Sequence, residues 1–273
     1  MYNQDLYVLD GGIGKNICFT SCLAKLGKVN VMSTWPKVFT HNPNVNFCYD
    51  SHLNPLLDKT TFFNKFENIY MIQGYDPYFH KNKIHLINNF RKILDQDTDE
   101  TLYNEIFFSE EEEEEMQPLL KKLESFILVQ FVGSDEGSKE TDFFGSRALT
   151  RQEAQEIIDV INFDLKLNVV NVFSLKNHFD NIAQLDIQLD YRNYAHLIKY
   201  AKSFVAIDSS LNHMSANRFC NTKGVVLWND ENVHERFCYD KNINLFSNTP
   251  GVMRFNKNVV LDNLQKIIRS NND

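Results

Sequence analysis

Two polar segments of the chain have residue types and spacing that suit the binding of an anion. The first is the segment 11–16, Gly-Gly-Ile-Gly-Lys-Asn, which follows an apolar run and opens a helical pattern. Free N–H groups at a helix start, with the positive end of the helix dipole, attract phosphates and carboxylates. A lysine is unfavourable there unless an anion is close. We therefore predict an anion-binding loop with Gly12, Gly14 and Lys15, with a tight ligand-free turn as the alternative.

The second segment is Asp208-Ser209-Ser210, with His213 one helical turn further on. It follows the apolar run 204–207, and ligands of open α/β sheets bind at the carboxyl ends of such strands. Ser209 or Ser210 can cap the helix that follows and, with its free N–H groups, hold a diphosphate. An ordinary helix cap beside a structural histidine is the alternative interpretation.

Strands and helices that alternate along both halves of the chain would position these two segments. The predicted strands span residues 6–9, 29–32, 69–73, 126–132, 169–173, 204–207 and 224–228. The predicted helices span residues 16–26, 84–94, 151–163, 191–202, 211–219 and 259–268. Alternation of this kind is typical of parallel sheets, so we predict an α/β protein with a domain junction near Leu123. The predicted domains are then 1–123 and 124–273.

The composition agrees with two ordinary globular domains and excludes several classes of protein. The 273 residues are 43% hydrophobic, and no apolar run approaches the roughly 20 residues that cross a bilayer. The first residues do not resemble a secretion signal, so we expect a cytoplasmic protein. Five cysteines without a CxxC pair suit neither a disulfide framework nor a zinc site. Residues 110–115 carry six of the net charge of −8, so the remainder lacks the basic footprint of a nucleic-acid-binding protein.

The stretch 204–216, FVAIDSSLNHMSA, resembles the D-[ST]-G-x-x-H-x-A signature of the heptosyltransferase-like glycosyltransferases of family 9. The segment 9–14 looks like the opening GxGD loop of that family, and Asn42-Pro43-Asn44-Val45 resembles its NPxV segment. Residues 187–202 are similar to the helix that precedes the signature. The resemblance implies a GT-B fold, in which the parallel sheets of two Rossmann-like domains face a cleft and the C-terminal helix crosses back. The first domain would bind the acceptor and the second the nucleotide sugar.

The family's activity implies transfer of a sugar from a nucleotide sugar to a hydroxyl acceptor, with inversion and without a metal or other cofactor. The acceptor class stays open between a glycan, a small metabolite and a modified nucleobase. The spellings Asp95-Gln96-Asp97 and Asp97-Thr98-Asp99 are interpreted as a solvated loop rather than a metal site. The resemblance assigns donor binding to these residues: Arg147, Ile187, Leu189, Asp208, Ser209, Ser210 and His213. Ser210 replaces a family glycine and Ser215 a family alanine.

The catalytic base is where the chain departs most from the family. The family's catalytic aspartate follows the opening turn directly, and that position is Lys15. Lysine does not easily replace a carboxylate as the base that deprotonates a hydroxyl. We expect either a substitute base, with Asp10 and Asp76 as the candidates, or a Lys15 that binds an anionic acceptor or donor. A nucleotide-binding protein without catalysis and a nucleotide-sugar epimerase are the alternative functions.

Overall fold

The computed structural model describes residues 5–52, 62–132, 148–172, 179–183, 185, 189–249 and 252–270. Arg147 and Ile187 lie outside the described residues. The chain divides into two compact units, and each contains its own parallel sheet. The first unit comprises Met1–Glu110 with Ala216–Phe219, and the second comprises Glu111–Ser215 with Cys220–Asp273.

The first unit is built on a four-stranded parallel sheet with the order β3-β2-β1-β4. Its strands are β1 (Leu6–Leu9), β2 (Val29–Ser33), β3 (Val45–Asp50) and β4 (Ile69–Ile72). Its α-helices are α1 (Ile13–Phe19), α2 (Leu23–Leu26), α3 (Pro77–Asn82) and α4 (Leu86–Ile93). Short 3-10 turns occupy Thr20–Cys22 and Pro36–Phe39. Strand β3 was not predicted, because its mixed polar and aromatic residues lack the apolar run of a buried strand.

Apolar side chains of β1 and α1 place the opening loop of the first unit. Leu6, Leu9 and Ile17 are almost completely buried, as parallel strands and their crossover helices require. Phe19 at the end of α1 packs edge-on against Phe90 of α4, with 5.5 Å between the ring centroids. The loop between β1 and α1 therefore lies at the carboxyl edge of a well-packed sheet.

The second unit is built on a five-stranded parallel sheet with the order β6-β5-β7-β8-β9. Its strands are β5 (Phe126–Gln130), β6 (Asn168–Asn171), β7 (Ser203–Ile207), β8 (Val225–Trp228) and β9 (Ile243–Phe246). Its helices are α5 (Glu110–Leu123), α6 (Arg151–Asp164), α7 (Tyr191–Leu197), α8 (Ser210–Ser215), α9 (Glu231–Phe237) and α10 (Lys257–Ser270). Four of the five strands were predicted. Strand β9 was missed because it is short and Asn244 interrupts its apolar residues.

The acidic start of α5 contacts side chains of α7 and of the residues that directly follow it. Glu112 forms an ion pair with Arg192, with 2.8 Å between Oε2 and Nη2. Glu113 binds Lys199 and Tyr200, and its Oε2 lies 2.8 Å from His196 Nε2. These contacts give the glutamate run a structural role in fixing α7, the helix that precedes β7.

The C-terminal helix α10 packs onto the second unit. Its residues Val260, Leu264 and Ile267 are buried in the same hydrophobic cluster as residues of α6. A crossing of this helix back to the first unit stays a prediction, as does the cleft. Across the described residues, none of the helices combines the length and the hydropathy that crossing a membrane requires.

Candidate functional site

An ion pair lies at the carboxyl edge of the first sheet. Asp10 directly follows β1, Gln73 directly follows β4, and Lys15 lies in the first turn of α1. The Lys15 ammonium donates hydrogen bonds to the Asp10 carboxylate and to Gln73 Oε1, the latter at 2.7 Å. The Lys15 side chain is 1% exposed, whereas that of Asp10 is 67% exposed. These three side chains form the Asp10–Lys15–Gln73 cluster, which combines a buried cation with an accessible carboxylate.

The electrostatics of this cluster favour an ionised aspartate. The hydrogen bond from Lys15 holds the pKa of Asp10 below its ordinary value, against the opposing effect of partial burial. The charge of the same ammonium and a hydrogen bond from Gln73 lower the pKa of Asp10 further. Asp10 is therefore a carboxylate at neutral pH, and its acid form becomes populated only in more acidic solution than for an isolated aspartate.

The glycine loop is closed over Lys15 by contacts with the end of β2. Gly11 has a φ of +81°, in the left-handed region that favours glycine, and a Cβ there would lie 3.3 Å from Lys15 Cδ. The Gly11 carbonyl accepts hydrogen bonds from Thr34 Oγ1 at 3.1 Å and Trp35 Nε1 at 3.0 Å. The two residues that follow β2 thus hold the loop between β1 and α1 in place.

Gly12 caps α1 without a side-chain hydrogen bond, and Gly14 lies in the first helical turn, because α1 begins at Ile13 and not at the predicted residue 16. The Gly12 carbonyl accepts a hydrogen bond from Asn16 Nδ2 at 3.1 Å. The Lys15 ammonium, which was expected to attract an external anion, is bound to an internal carboxylate instead. Anion binding by this loop stays a prediction.

Asp76 has a structural role at the start of α3. Its Oδ1 accepts a hydrogen bond from the N–H of Phe79 at 2.7 Å, which makes Asp76 the N-cap of this helix. The same oxygen lies 3.3 Å from Asn89 Nδ2, and Asn89 also donates to the Gly74 carbonyl at 2.8 Å. The second candidate base is thus engaged in holding the turn after β4.

The predicted donor-binding turn follows β7 in the second unit. Asp208 and Ser209 link β7 to α8, and Ser210 is the first residue of that helix. The hydroxyl oxygen of Ser209 is buried and has no hydrogen-bond partner among the residues that the structure describes. A serine hydroxyl can both donate and accept a hydrogen bond, so Ser209 is able to bind a ligand at the start of α8.

Gln130 contacts the start of α8, and the sequence analysis did not identify it as a site residue. It ends β5, the strand beside β7, and its Oε1 accepts a hydrogen bond from the N–H of Leu211 at 3.1 Å. Gln130 thereby satisfies one of the free N–H groups at the start of α8. A polar residue at the end of an otherwise apolar strand was the available signal.

His213 is buried within the second unit and is uncharged at neutral pH. Its Nδ1 lies 2.9 Å from the Tyr239 hydroxyl, and its ring packs edge-on against Phe237 at 6.0 Å. Burial lowers the pKa of His213 to about 4. The imidazole therefore supplies no positive charge to a bound phosphate at neutral pH, and contact with a diphosphate stays a prediction.

A buried polar network anchors α8 from its opposite end. Asn212 Nδ2 donates to the Phe237 carbonyl at 2.9 Å, and Asn242 Nδ2 lies 3.2 Å from both Asn212 Oδ1 and Ser215 Oγ. The Lys241 ammonium donates to the Ser215 carbonyl at 2.5 Å. These hydrogen bonds fix α8 against the segment 237–242 of the same unit.

Leu189 is the remaining predicted donor-binding residue that the structure describes. Leu189 is buried and directly precedes Asp190, which caps α7. In the described part of the chain, no group of three or more His, Cys, Asp or Glu side chains is arranged to hold a metal ion.

The chain is similar to solved structures along almost its whole length. No family model matches the chain, and no curated protein sequence matches it either. The E. coli ADP-heptose LPS heptosyltransferase II aligns with a TM-score of 0.72 at 13% identity, over 98% of this chain and 100% of that one. A glycosyl transferase of family 9 from Veillonella parvula aligns with a TM-score of 0.71 at 11% identity, over 98% of both chains.

A third structure, the E. coli heptosyltransferase WaaC with ADP, aligns with a TM-score of 0.62 at 10% identity. That alignment covers 96% of this chain and 99% of WaaC. At such low identity the likeness concerns the path of the backbone. The chain therefore has the fold of the family 9 glycosyltransferases.

Proposed function

We propose that this protein is a glycosyltransferase that moves a sugar from a nucleotide sugar to a hydroxyl acceptor, with inversion and without a metal ion. The observation that carries the proposal is the shared fold along 98% of the chain. Its support is the polar turn at the carboxyl end of β7, where ligands of such sheets bind. The cleft between two Rossmann-like domains belongs to the same proposal.

We assign the donor diphosphate to the start of α8. The Ser209 hydroxyl lacks an internal partner among the described residues, and the adjacent N–H groups of the first helical turn favour negative charge. Asp208 is a carboxylate that only accepts hydrogen bonds, so it suits a hydroxyl of the ribose or sugar better than a phosphate oxygen. Arg147 is the cation that we assign to the diphosphate charge, and Ile187 and Leu189 are assigned to the nucleobase.

We assign the role of catalytic base to Asp10 rather than to Asp76. The Asp10 side chain is two-thirds exposed, and its carboxylate is held by Lys15, whose ammonium is also bound to Gln73. Asp76 is engaged by the N-terminus of α3 and by Asn89. Asp10 is thus the candidate that combines access with a fixed position.

The proposed reaction is a single displacement. Asp10 takes the proton of the acceptor hydroxyl as its oxygen attacks the anomeric carbon from the face opposite the leaving group. The bond between that carbon and the diphosphate oxygen breaks, and the nucleoside diphosphate leaves with the electron pair. The N–H groups of α8 and Arg147 stabilise the charge that develops on it. Transfer is expected to persist in the presence of EDTA.

A thermal-shift panel tests donor binding. Nucleoside diphosphates of each common base and their sugar conjugates are added to the wild type, to Ser209→Ala and to the control Ser270→Ala in the last turn of α10. A ligand that binds the native state raises the melting temperature. We expect one base to give a selective rise, and about 10-fold weaker binding in Ser209→Ala alone, from the loss of one charge-assisted hydrogen bond. No rise with any nucleotide at millimolar concentration would contradict the proposal.

Replacement of the base separates binding from catalysis. Asp10→Asn should keep the selective rise in melting temperature, because the donor binds to the second unit, but lower the rate of transfer by about 10²- to 10⁴-fold. Asp76→Ala should lower the melting temperature because the N-cap of α3 is lost, and it should spare most of the transfer rate. Equal losses of transfer in both variants would remove the assignment of Asp10.

A further inference from the structure

Lys15 has an environment that a surface lysine at a helix start does not have. Its ammonium is enclosed, and its described hydrogen-bond partners are the Asp10 carboxylate and the amide oxygen of Gln73. A buried ammonium is costly unless it is paired and hydrogen-bonded. The pairing with Asp10 therefore constrains both side chains.

We propose that Lys15 and Gln73 are positioning residues for the Asp10 carboxylate, so that this chain presents its base from the end of β1 instead of from α1. This inference rests on the proposed function. It accounts for the lysine at the position where the resemblance expects an aspartate, because the ion pair keeps one carboxylate at the same edge of the sheet. The carboxylate is thus supplied by the residue after β1, and α1 supplies the lysine that binds it.

The surroundings of Lys15 allow the pair little freedom. A Cβ at Gly11 would lie 3.3 Å from Lys15 Cδ and 3.8 Å from its Nζ, so the loop backbone runs directly over the lysine side chain. The ammonium lies 5.7 Å from the centroid of the Tyr75 ring, close enough for a cation–π interaction. Lys15 is therefore a fixed point from which the exposed carboxylate of Asp10 is oriented.

Gln73 closes the arrangement from the neighbouring strand. Strands β1 and β4 are parallel neighbours with Leu9 opposite Ile72, so the residues that follow them, Asp10 and Gln73, stand side by side. The Gln73 amide oxygen accepts a hydrogen bond from the Lys15 ammonium. Gln73 thus fixes from β4 the ammonium that binds the Asp10 carboxylate.

The test that needs no turnover is an NMR titration of the Asp10 side-chain carboxyl carbon. The probes are wild type, Lys15→Met and the control Lys25→Met, which removes the exposed lysine paired with Glu100 in the same unit. We expect the Asp10 midpoint to rise to a higher pH in Lys15→Met and to stay unchanged in the control. An unchanged midpoint in folded Lys15→Met would overturn the proposal.

A second variant guards against a Lys15→Met protein that does not fold. Gln73→Leu alters an exposed side chain, and we expect the Asp10 midpoint to rise by a smaller amount than in Lys15→Met, because the lysine remains. A midpoint in Gln73→Leu equal to that of wild type would overturn the role of Gln73.

The activity arm compares pH profiles of kcat/KM once a donor is known. In Lys15→Met and in Gln73→Leu the acid limb should move to higher pH in step with the NMR midpoint, whereas Lys25→Met should follow the wild type. A lower rate with an unmoved acid limb would show a merely structural role and overturn the proposal. If wild type turns over no nucleotide sugar, the proposed function fails, while the NMR arm still decides whether Lys15 and Gln73 control Asp10.

Discussion

Acidification from pH 7.5 to pH 5.0 should remove about 2 kcal/mol from the free energy of unfolding through His213 alone. In the folded protein the pKa of His213 is lowered to about 4, and its cause is burial. In the unfolded chain a histidine has a pKa of about 6.5. Between these values the unfolded state binds a proton that the folded state does not, so stability falls as the pH falls.

The magnitude follows from the distance between the working pH and the unfolded pKa. At pH 5.0 the unfolded histidine lies about 1.5 units below its pKa while the folded one is still largely neutral, which corresponds to about 2 kcal/mol. The full window from pH 6.5 to pH 4 corresponds to about 3 kcal/mol, and below pH 4 the contribution no longer changes. Well above about pH 6.5 the imidazole is neutral in both the folded and the unfolded state, so His213 adds no pH dependence to the free energy of unfolding there.

Urea unfolding at the two pH values, in wild type and in His213→Asn, isolates this contribution. Asparagine keeps a polar group near the position of Nδ1 but cannot be protonated. The loss of stability on acidification should therefore be about 2 kcal/mol smaller in His213→Asn than in wild type. Tyr239→Phe removes the hydroxyl that contacts His213 Nδ1 but leaves the ring buried, so its loss should equal that of wild type. An equal loss in wild type and His213→Asn would refute the burial argument.

Three further substitutions test the packing, the helix capping and the hydrogen bonding of the second unit. Gly224→Ala places a Cβ 2.3 Å from the Phe204 ring, so we expect a loss of about 1–3 kcal/mol in urea unfolding from overpacking. Thr150→Ala removes the capping box of α6 and should cost about 1 kcal/mol, whereas Thr150→Ser should cost less in the same assay. Partial burial opposes ionisation of Glu113, but its hydrogen bonds lower the pKa to about 2, so the destabilisation by Glu113→Gln should be full at pH 7 and fade below about pH 4.5. An acid-unfolding series of wild type and Glu113→Gln checks this, and a constant difference between them would contradict it.

The sequence was most informative where a strand, a polar turn and a helix follow one another directly. The segment from β1 to α1 and the segment from β7 to α8 were both predicted, because apolar runs and helix-start residues are local signals. Strands β3 and β9 were not predicted, since their side chains are mixed in polarity. Their pairing is decided by the neighbouring strands, which the local pattern does not report.

The partners of the site residues could not be predicted in the same way, because they come from distant parts of the chain. Gln130 reaches the start of α8 across 81 residues of sequence, and Gln73 reaches Lys15 across 58. Tyr239 gives His213 a hydrogen-bond partner, and burial among distant parts of the chain keeps its imidazole neutral at pH 7, so an expected phosphate ligand carries no positive charge there, while its contact with a diphosphate stays a prediction. A motif defines residue types at a turn, but their charge states depend on these long-range contacts.

The measurement that tests the central claim most directly is phosphorus NMR of each nucleotide sugar incubated with the protein and a pool of hydroxyl acceptors. The account predicts that the wild type and Lys25→Met release a nucleoside diphosphate from one class of donor, and that Asp10→Asn releases it about 10²- to 10⁴-fold more slowly. Binding of a nucleotide without release of a diphosphate from any donor, or equal release by wild type and Asp10→Asn, would contradict it.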